Sequence, residues 1–275
     1  MPREPEFLPT SETLSAPGRS GGLTRHGGLR RRTFLGLVGA GLTGVTGMAG
    51  ADAAEGSAST FNNPPFRYLS RADWGADESR RFGANGVESF PTAFYPLQTV
   101  TVHHSALAGG TDHNTADPAA LMRNLYRNMT GDDPLHTYGD FGYHFLIDEA
   151  GTVYEGRYSG TDPIPAFNAA GQVVTAAHIA GWNSGNLGIV VLGDFNVWSP
   201  TEAAETSLTQ LLALIAGPHQ LDPHGTTNFV NPVNGALKTV PTISGHFNWV
   251  VTDCPGASLK AELPAIRDAV ATLLI

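Results

Sequence analysis

The chain has 275 residues, of which 16 are Lys or Arg and 25 are Asp or Glu, giving a net charge of −9. That acidic balance argues against nucleic acid or an anionic membrane surface as a partner. With a single cysteine no internal disulfide can form, so Cys254 is a buried small hydrophobe, a free thiol or a metal ligand.

Residues 1–51 read as a twin-arginine export signal. Arg30, Arg31 and Arg32 precede Thr33-Phe34-Leu35, and the chain then runs uncharged to a small-residue cleavage site at Ala49, Gly50 and Ala51. Gly and Thr make this stretch too weakly apolar for a membrane anchor, so no stable membrane insertion is expected after cleavage. A literal GxGxxG at Gly39, Gly41 and Gly44 has no βαβ unit around it and follows from composition alone. Removing 1–51 takes away six basic and three acidic residues and leaves a charge of about −12. Residues 52–65 are small, polar and end in proline, as a linker would be. Residues 66–275 are long enough for one domain with a proper core, expected to be a monomer.

Within that domain, the run LQTVTVHH (97–104) is short and β-branched, which fits a buried strand. PAALMRNLYRN (118–128) places Leu121, Met122 and Leu125 at helical spacing after a candidate N-cap, Asp117. Residues 143–147 and 152–155 flank Asp148-Glu149-Ala150-Gly151 as a hairpin would. LGIVVL (187–192) is nearly continuous in apolar residues, as expected of a strand covered on both faces. Leu208, Leu211, Leu212 and Ile215 form one stripe of a helix over 201–215, and 259–274 repeats the pattern. The sum is a mixed sheet flanked by helices, in the α/β or α+β class.

The chemistry concentrates around Cys254. His246 lies eight residues before it, a looser spacing than that of zinc fingers, which leaves ligand and inert thiol both open. A catalytic zinc site has three protein ligands and one open position. The best source of a third ligand is the His103–His104 pair at a strand end, where adjacent side chains face opposite ways, so that only one of the two can ligate. Isolated histidines such as His113, His136, His219 and His224 are expected to have no part in it.

Five segments add a resemblance: SRADWGADE (70–78), TVHHSA (101–106), GDFGYHFLIDEAGTVYEGR (139–157), AAHIAGWNSGNLGIVVLGDF (176–195) and SGHFNWVVTDCPG (244–256). In order and approximate spacing the chain resembles the zinc-dependent N-acetylmuramoyl-L-alanine amidases, the family that includes peptidoglycan recognition proteins and phage lysozyme-type amidases. The likeness spans about residues 69–265. It implies a central mixed sheet flanked by helices and one Zn2+ held by His103, His246 and Cys254. It places Tyr143 beside the water at the metal and Thr252 where relatives carry Lys or Thr. It assigns His178, and with it Asn183, to the wall of a groove for peptidoglycan or muropeptides. The implied reaction is hydrolysis of the amide between N-acetylmuramic acid and L-alanine, outside the cytoplasm: extracellular, periplasmic or at the cell wall. The alternative is a recognition module that binds peptidoglycan without cutting it, a case marked by loss of a ligand, most often the cysteine.

The departures from the family pattern are informative too. A branch acting on anhydro-muropeptides has a glutamate and an aspartate where Val190 and Cys254 stand here. Thr137-Tyr138 replaces a Gly-Trp pair linked to diaminopimelate stems, which leaves stem preference open. The segment 128–136 is longer than usual and is expected to reshape one wall of the groove.

Overall fold

The computed structural model describes Phe61 and residues 63–132, 137–161 and 164–275. The expected export signal, most of the expected linker, Asp133 and His136 lie outside the described residues. Phe61, from the stretch read as a linker, is buried and stacks on Phe145 with ring centroids 5.9 Å apart.

The strands in chain order are β1 (Tyr68–Leu69), β2 (Phe94–Tyr95), β3 (Thr99–His104), β4 (Phe145–Ile147), β5 (Val153–Glu155), β6 (Val173–Val174), β7 (Asn186–Val191), β8 (Thr226–Val230), β9 (Leu237–Pro241) and β10 (Ile243–Gly245). The helices are α1 (Arg71–Trp74), α2 (Pro118–Arg127), α3 (Glu202–Ala216) and α4 (Ala257–Leu273). Six strands form one mixed sheet in the order β1-β5-β4-β7-β3-β10, and β2–β6 and β8–β9 are separate antiparallel pairs. Strands β4, β7, β3 and β10 run parallel, while β5 is antiparallel to β4. Among the described residues no helix is long and apolar enough to cross a membrane.

Both faces of the sheet are covered, as the apolar run of β7 requires. On one face Val100 and Val102 of β3 and Ile189 and Val191 of β7 join Leu208, Leu211 and Leu212 of α3 and Leu259 and Leu263 of α4 in one buried cluster. Each fully buried leucine contributes roughly 1.5–3 kcal/mol. On the other face Leu146 and Val190 pack with Trp74, Met122, Tyr126 and Phe141, which places α1 and α2 there. Helix α2 is capped as read, by Asp117, and α3 is capped by Thr201, which the sequence reading places inside the helix. Asp117 Oδ1 accepts from the Ala120 N–H at 2.9 Å, and Thr201 Oγ1 accepts from the Ala204 N–H at 3.1 Å. Residues 128–132 continue α2 as a π-type turn, and the Met129 carbonyl accepts from the N–H groups of Tyr138 and Gly139.

A buried ionic network ties the segment before β4 to the rest. Asp140, with no exposed surface, accepts from Arg71 Nη1 at 2.9 Å and Arg157 Nη1 at 2.7 Å, and Arg157 is itself fully buried. Arg71 also pairs with Glu78, which reaches Arg81, and Arg81 pairs with Glu88. Three guanidiniums thus face three carboxylates, and the network is neutral. Removing one partner of a buried pair strands the other charge, at a cost of about 3–5 kcal/mol. Asp140→Asn is therefore expected to lower the unfolding free energy in urea by about that amount, while Glu88→Gln at the more exposed end costs under about 1 kcal/mol. Equal, small losses for the two would show that the network has no special weight.

Candidate functional site

Strand β3 sets the site. Its alternation sends Val100, Val102 and His104 toward α3 and α4 and leaves Thr99, Thr101 and His103 on the opposite face. Strand β10 pairs parallel with β3, Ser244 opposite Thr101 and Gly245 opposite Val102, so the next residue, His246, emerges alongside His103. The two imidazole centroids are 4.6 Å apart. The loop following His246 returns Cys254 to the same point. One nitrogen of each histidine and the cysteine sulfur all lie within 4.8 Å of one another, the one such cluster of His, Cys, Asp or Glu among the described residues. As expected from the alternation, His104 turns away. Its Nδ1 accepts from the Phe195 N–H at 3.3 Å on the other face.

The donor set fits a zinc ion. Nδ1 of His103 stands 3.6 Å from Sγ of Cys254. Tetrahedral ligation at Zn–N of about 2.0 Å and Zn–S of about 2.3 Å also separates N and S by about 3.6 Å. Burial pushes the Cys254 thiol up to about 12, pulls His246 down to about 4 and holds His103 well below the ordinary imidazole range. All three groups are therefore neutral at pH 7, and among the described residues no Lys or Arg acts on the Cys254 thiol to stabilise a thiolate. A bound cation is the group that would convert such a thiol to a thiolate.

A buried hydrogen-bond chain aims His103. His178 Nε2 lies 3.1 Å from the Asn186 carbonyl oxygen, which only accepts, so this nitrogen carries the proton and donates. His178 Nδ1 is then the acceptor for His103 Nε2, also at 3.1 Å. That leaves His103 Nδ1, the atom facing Cys254, unprotonated and free to ligate. The chain needs Gly188, since a Cβ there would sit 2.6 Å from the His178 ring. Asn183 supports it further, its Oδ1 accepting from the N–H groups of His178 and Ile179 at 2.8 Å each.

The resemblance assigns His178 and Asn183 to the wall of a substrate groove, and in this structure both are fully buried. The His178 nitrogens bond His103 and the Asn186 carbonyl and Asn183 Oδ1 bonds the turn below, while Asn183 Nδ2 is buried without a partner among the described residues. Tyr143 is half-buried, with its ring centroid 5.2 Å from that of His103. Burial raises its phenol above the ordinary range, so it stays protonated and able to donate. Thr252 sits in the ligand loop, its hydroxyl accepting from the Cys254 N–H at 3.2 Å. His113 stacks on Trp198, His219 stacks on Phe167 and His224 lies 3.5 Å from Asp268, all outside the cluster.

Two strands beside the site lie outside the sequence expectations. β8 and β9 form a hairpin whose Phe229 and Val240 pack with Ile179 and Trp249, partly covered by Trp182. Its signal is Asn234-Gly235 between alternating runs, obscured because most of the hairpin's side chains face solvent.

Comparison with known proteins shows the family of the chain. The family model "N-acetylmuramoyl-L-alanine amidase" matches residues 93–257, which include all three clustered ligands. The chain belongs to this amidase family. Human N-acetylmuramoyl-L-alanine amidase is 29% identical over 180 residues, 65% of this chain but 26% of the human protein, so the chain spans about a quarter of that relative. Peptidoglycan-recognition protein SC2 of Drosophila melanogaster is 27% identical over 195 residues, 71% of this chain and 83% of the fly protein. Among solved structures, Drosophila PGRP-LB overlaps 72% of this chain and 93% of its own, with 24% identity and a TM-score of 0.48. The amidase family thus contains both enzymes and recognition proteins among the relatives of this chain.

If the histidine chain orients His103, His178→Ala should weaken zinc binding about 10- to 100-fold. Competition with a chromogenic chelator measures this, and an unchanged dissociation constant would mean that packing alone holds the ring.

Proposed function

We propose that this protein is a zinc-dependent amidase that hydrolyses the amide between N-acetylmuramic acid and L-alanine in peptidoglycan. The observation that carries the reading is the convergence of His103, His246 and Cys254 at the carboxyl ends of β3 and β10, with Tyr143 beside them. Three ligands from one imidazole pair and one thiolate leave a position open, which is the catalytic pattern rather than the structural one. Zinc at such a site polarises a carbonyl oxygen and supplies a nucleophilic hydroxide near neutral pH.

The side chains do the rest. The protonated Tyr143 hydroxyl donates to the oxygen on which negative charge develops, a task worth about 3 kcal/mol per donor. Thr252 accepts from the Cys254 N–H and so keeps its own O–H proton to offer to the substrate. His178 and the Asn186 carbonyl hold the His103 tautomer, so no proton competes for the ligating nitrogen. The basic Arg30–Arg32 run supports export by the twin-arginine route, which delivers the domain to the wall already folded.

Zinc analysis combined with release of stem peptides from isolated cell walls tests the proposal. Wild type should carry one zinc and release peptide, and Cys254→Ser should lose both. A zinc-loaded protein that leaves walls intact would overturn the enzyme reading in favour of a recognition module. Tyr143→Phe should cut kcat by about 100-fold with zinc content unchanged. Loss of zinc in that variant would show instead that the tyrosine holds the site together.

A further inference from the structure

The chain has two lysines, Lys238 and Lys260, against 25 acidic residues. Both line one cavity of about 380 Å³, walled otherwise by Phe247, Trp249, Val250, Val251 and Thr252. They arrive from separate elements, β9 and α4. The wall between them is the loop that carries His246 and Cys254, so the cavity adjoins the candidate metal site through Thr252.

Lys238 is held by the protein, while Lys260 is exposed and rests against one aromatic ring. Lys260 Nζ lies 4.2 Å from the centroid of the Phe247 ring. Lys238 is half-buried, lies 5.9 Å from the Trp182 centroid and donates to the Trp249 carbonyl. Among the described residues neither ammonium has a carboxylate partner. In so acidic a chain, two cations set over aromatic faces and left without an ion pair have charge to spare for a ligand. Each ammonium has three N–H donors, and Lys238 commits one of them within the protein.

We propose that this cavity is a carboxylate subsite that takes the peptide stem of the substrate and so sets specificity. The inference rests on the amidase reading. In that substrate the lactyl carboxyl is consumed in the scissile amide and the sugars are neutral. The free carboxylates therefore belong to the peptide, at its C-terminus and on any acidic side chain. Such a group enters the side of the site formed by the ligand loop, where Lys238 and Lys260 meet it over the apolar floor of Phe247 and Trp249.

The test uses the zinc-loaded full-length protein, two muropeptides that differ only in whether the stem carboxylates are free or amidated, and the two corresponding free peptides. For wild type, KM for the acidic muropeptide should be about tenfold below that for the amidated one, a difference of about 1.4 kcal/mol. Lys238→Met combined with Lys260→Met should erase the preference by raising KM for the acidic substrate, with kcat and zinc content held. Binding of the free peptides, read by fluorescence of Trp182 and Trp249, should show the same lysine-dependent preference independently of cleavage.

Equal KM values for the two muropeptides in wild type, or equal losses on both in the double variant, would overturn the subsite. So would tighter lysine-dependent binding of a glycerol-phosphate oligomer than of the acidic peptide. A wild type that cleaves neither muropeptide but binds the acidic peptide through the lysines would overturn the amidase reading and leave the subsite standing.

Discussion

The parallel pairing of β10 with β3 is the constraint on which the candidate site depends. These strands are separated by well over a hundred residues, and their register decides that His246 follows directly beside His103. A slip of one residue would turn His103 toward α3 and α4 and place His104 at the site instead. The register is secured by burial of Val100 and Val102 on one face. On the other, a polar knot joins Thr101, Ser244 and Asn186, with the Trp249 indole N–H shared between Thr101 and Ser244 at 3.0 Å each.

Around that register the protein arranges buried polar groups in two different ways. Beneath His103 the groups are neutral and chained, from a backbone carbonyl through two imidazoles to a free nitrogen lone pair. Near Tyr143 they are charged and balanced, with Asp140 gripping two guanidiniums and accepting from the Phe141 and Tyr158 N–H groups as well. The first arrangement orients a ligand without adding charge. The second fixes the segment 139–143 so that Tyr143 is presented from a rigid backbone. Both are costly to leave half-satisfied, which makes each a unit rather than a set of separate contacts.

Electrostatics divide the site along its ligand loop. Inward, the three donors are neutral and the environment calls for a cation. Outward, Lys238 and Lys260 offer positive charge against the net negative balance of the chain. A substrate spanning the loop would meet both kinds of surface, with Thr252 at the junction.

Much was legible in the sequence because it is written in local pattern. The β-branched run of β3, the apolar run of β7, the cap Asp117 and the leucine stripe of α3 all depend on neighbours within a few residues. The ligand set and Tyr143 came from motifs shared with a family, and strand alternation alone allowed only one of His103 and His104. Other features exist only in three dimensions. His178 and Asn183 look like groove residues in a motif, yet folding buries them under His103, because Gly188 on β7 leaves room for the His178 ring. The charged partners of Asp140, Arg71 and Arg157, come from two other segments, and no spacing announces them. Lys238 and Lys260, on either side of the 244–256 segment, share a cavity because a half-exposed hairpin and the last helix converge on one loop. Local sequence determined the elements and the identity of the candidate ligands. Which face each side chain took, and which charges met, was decided by long-range packing of strands and helices that the sequence brings together only on folding.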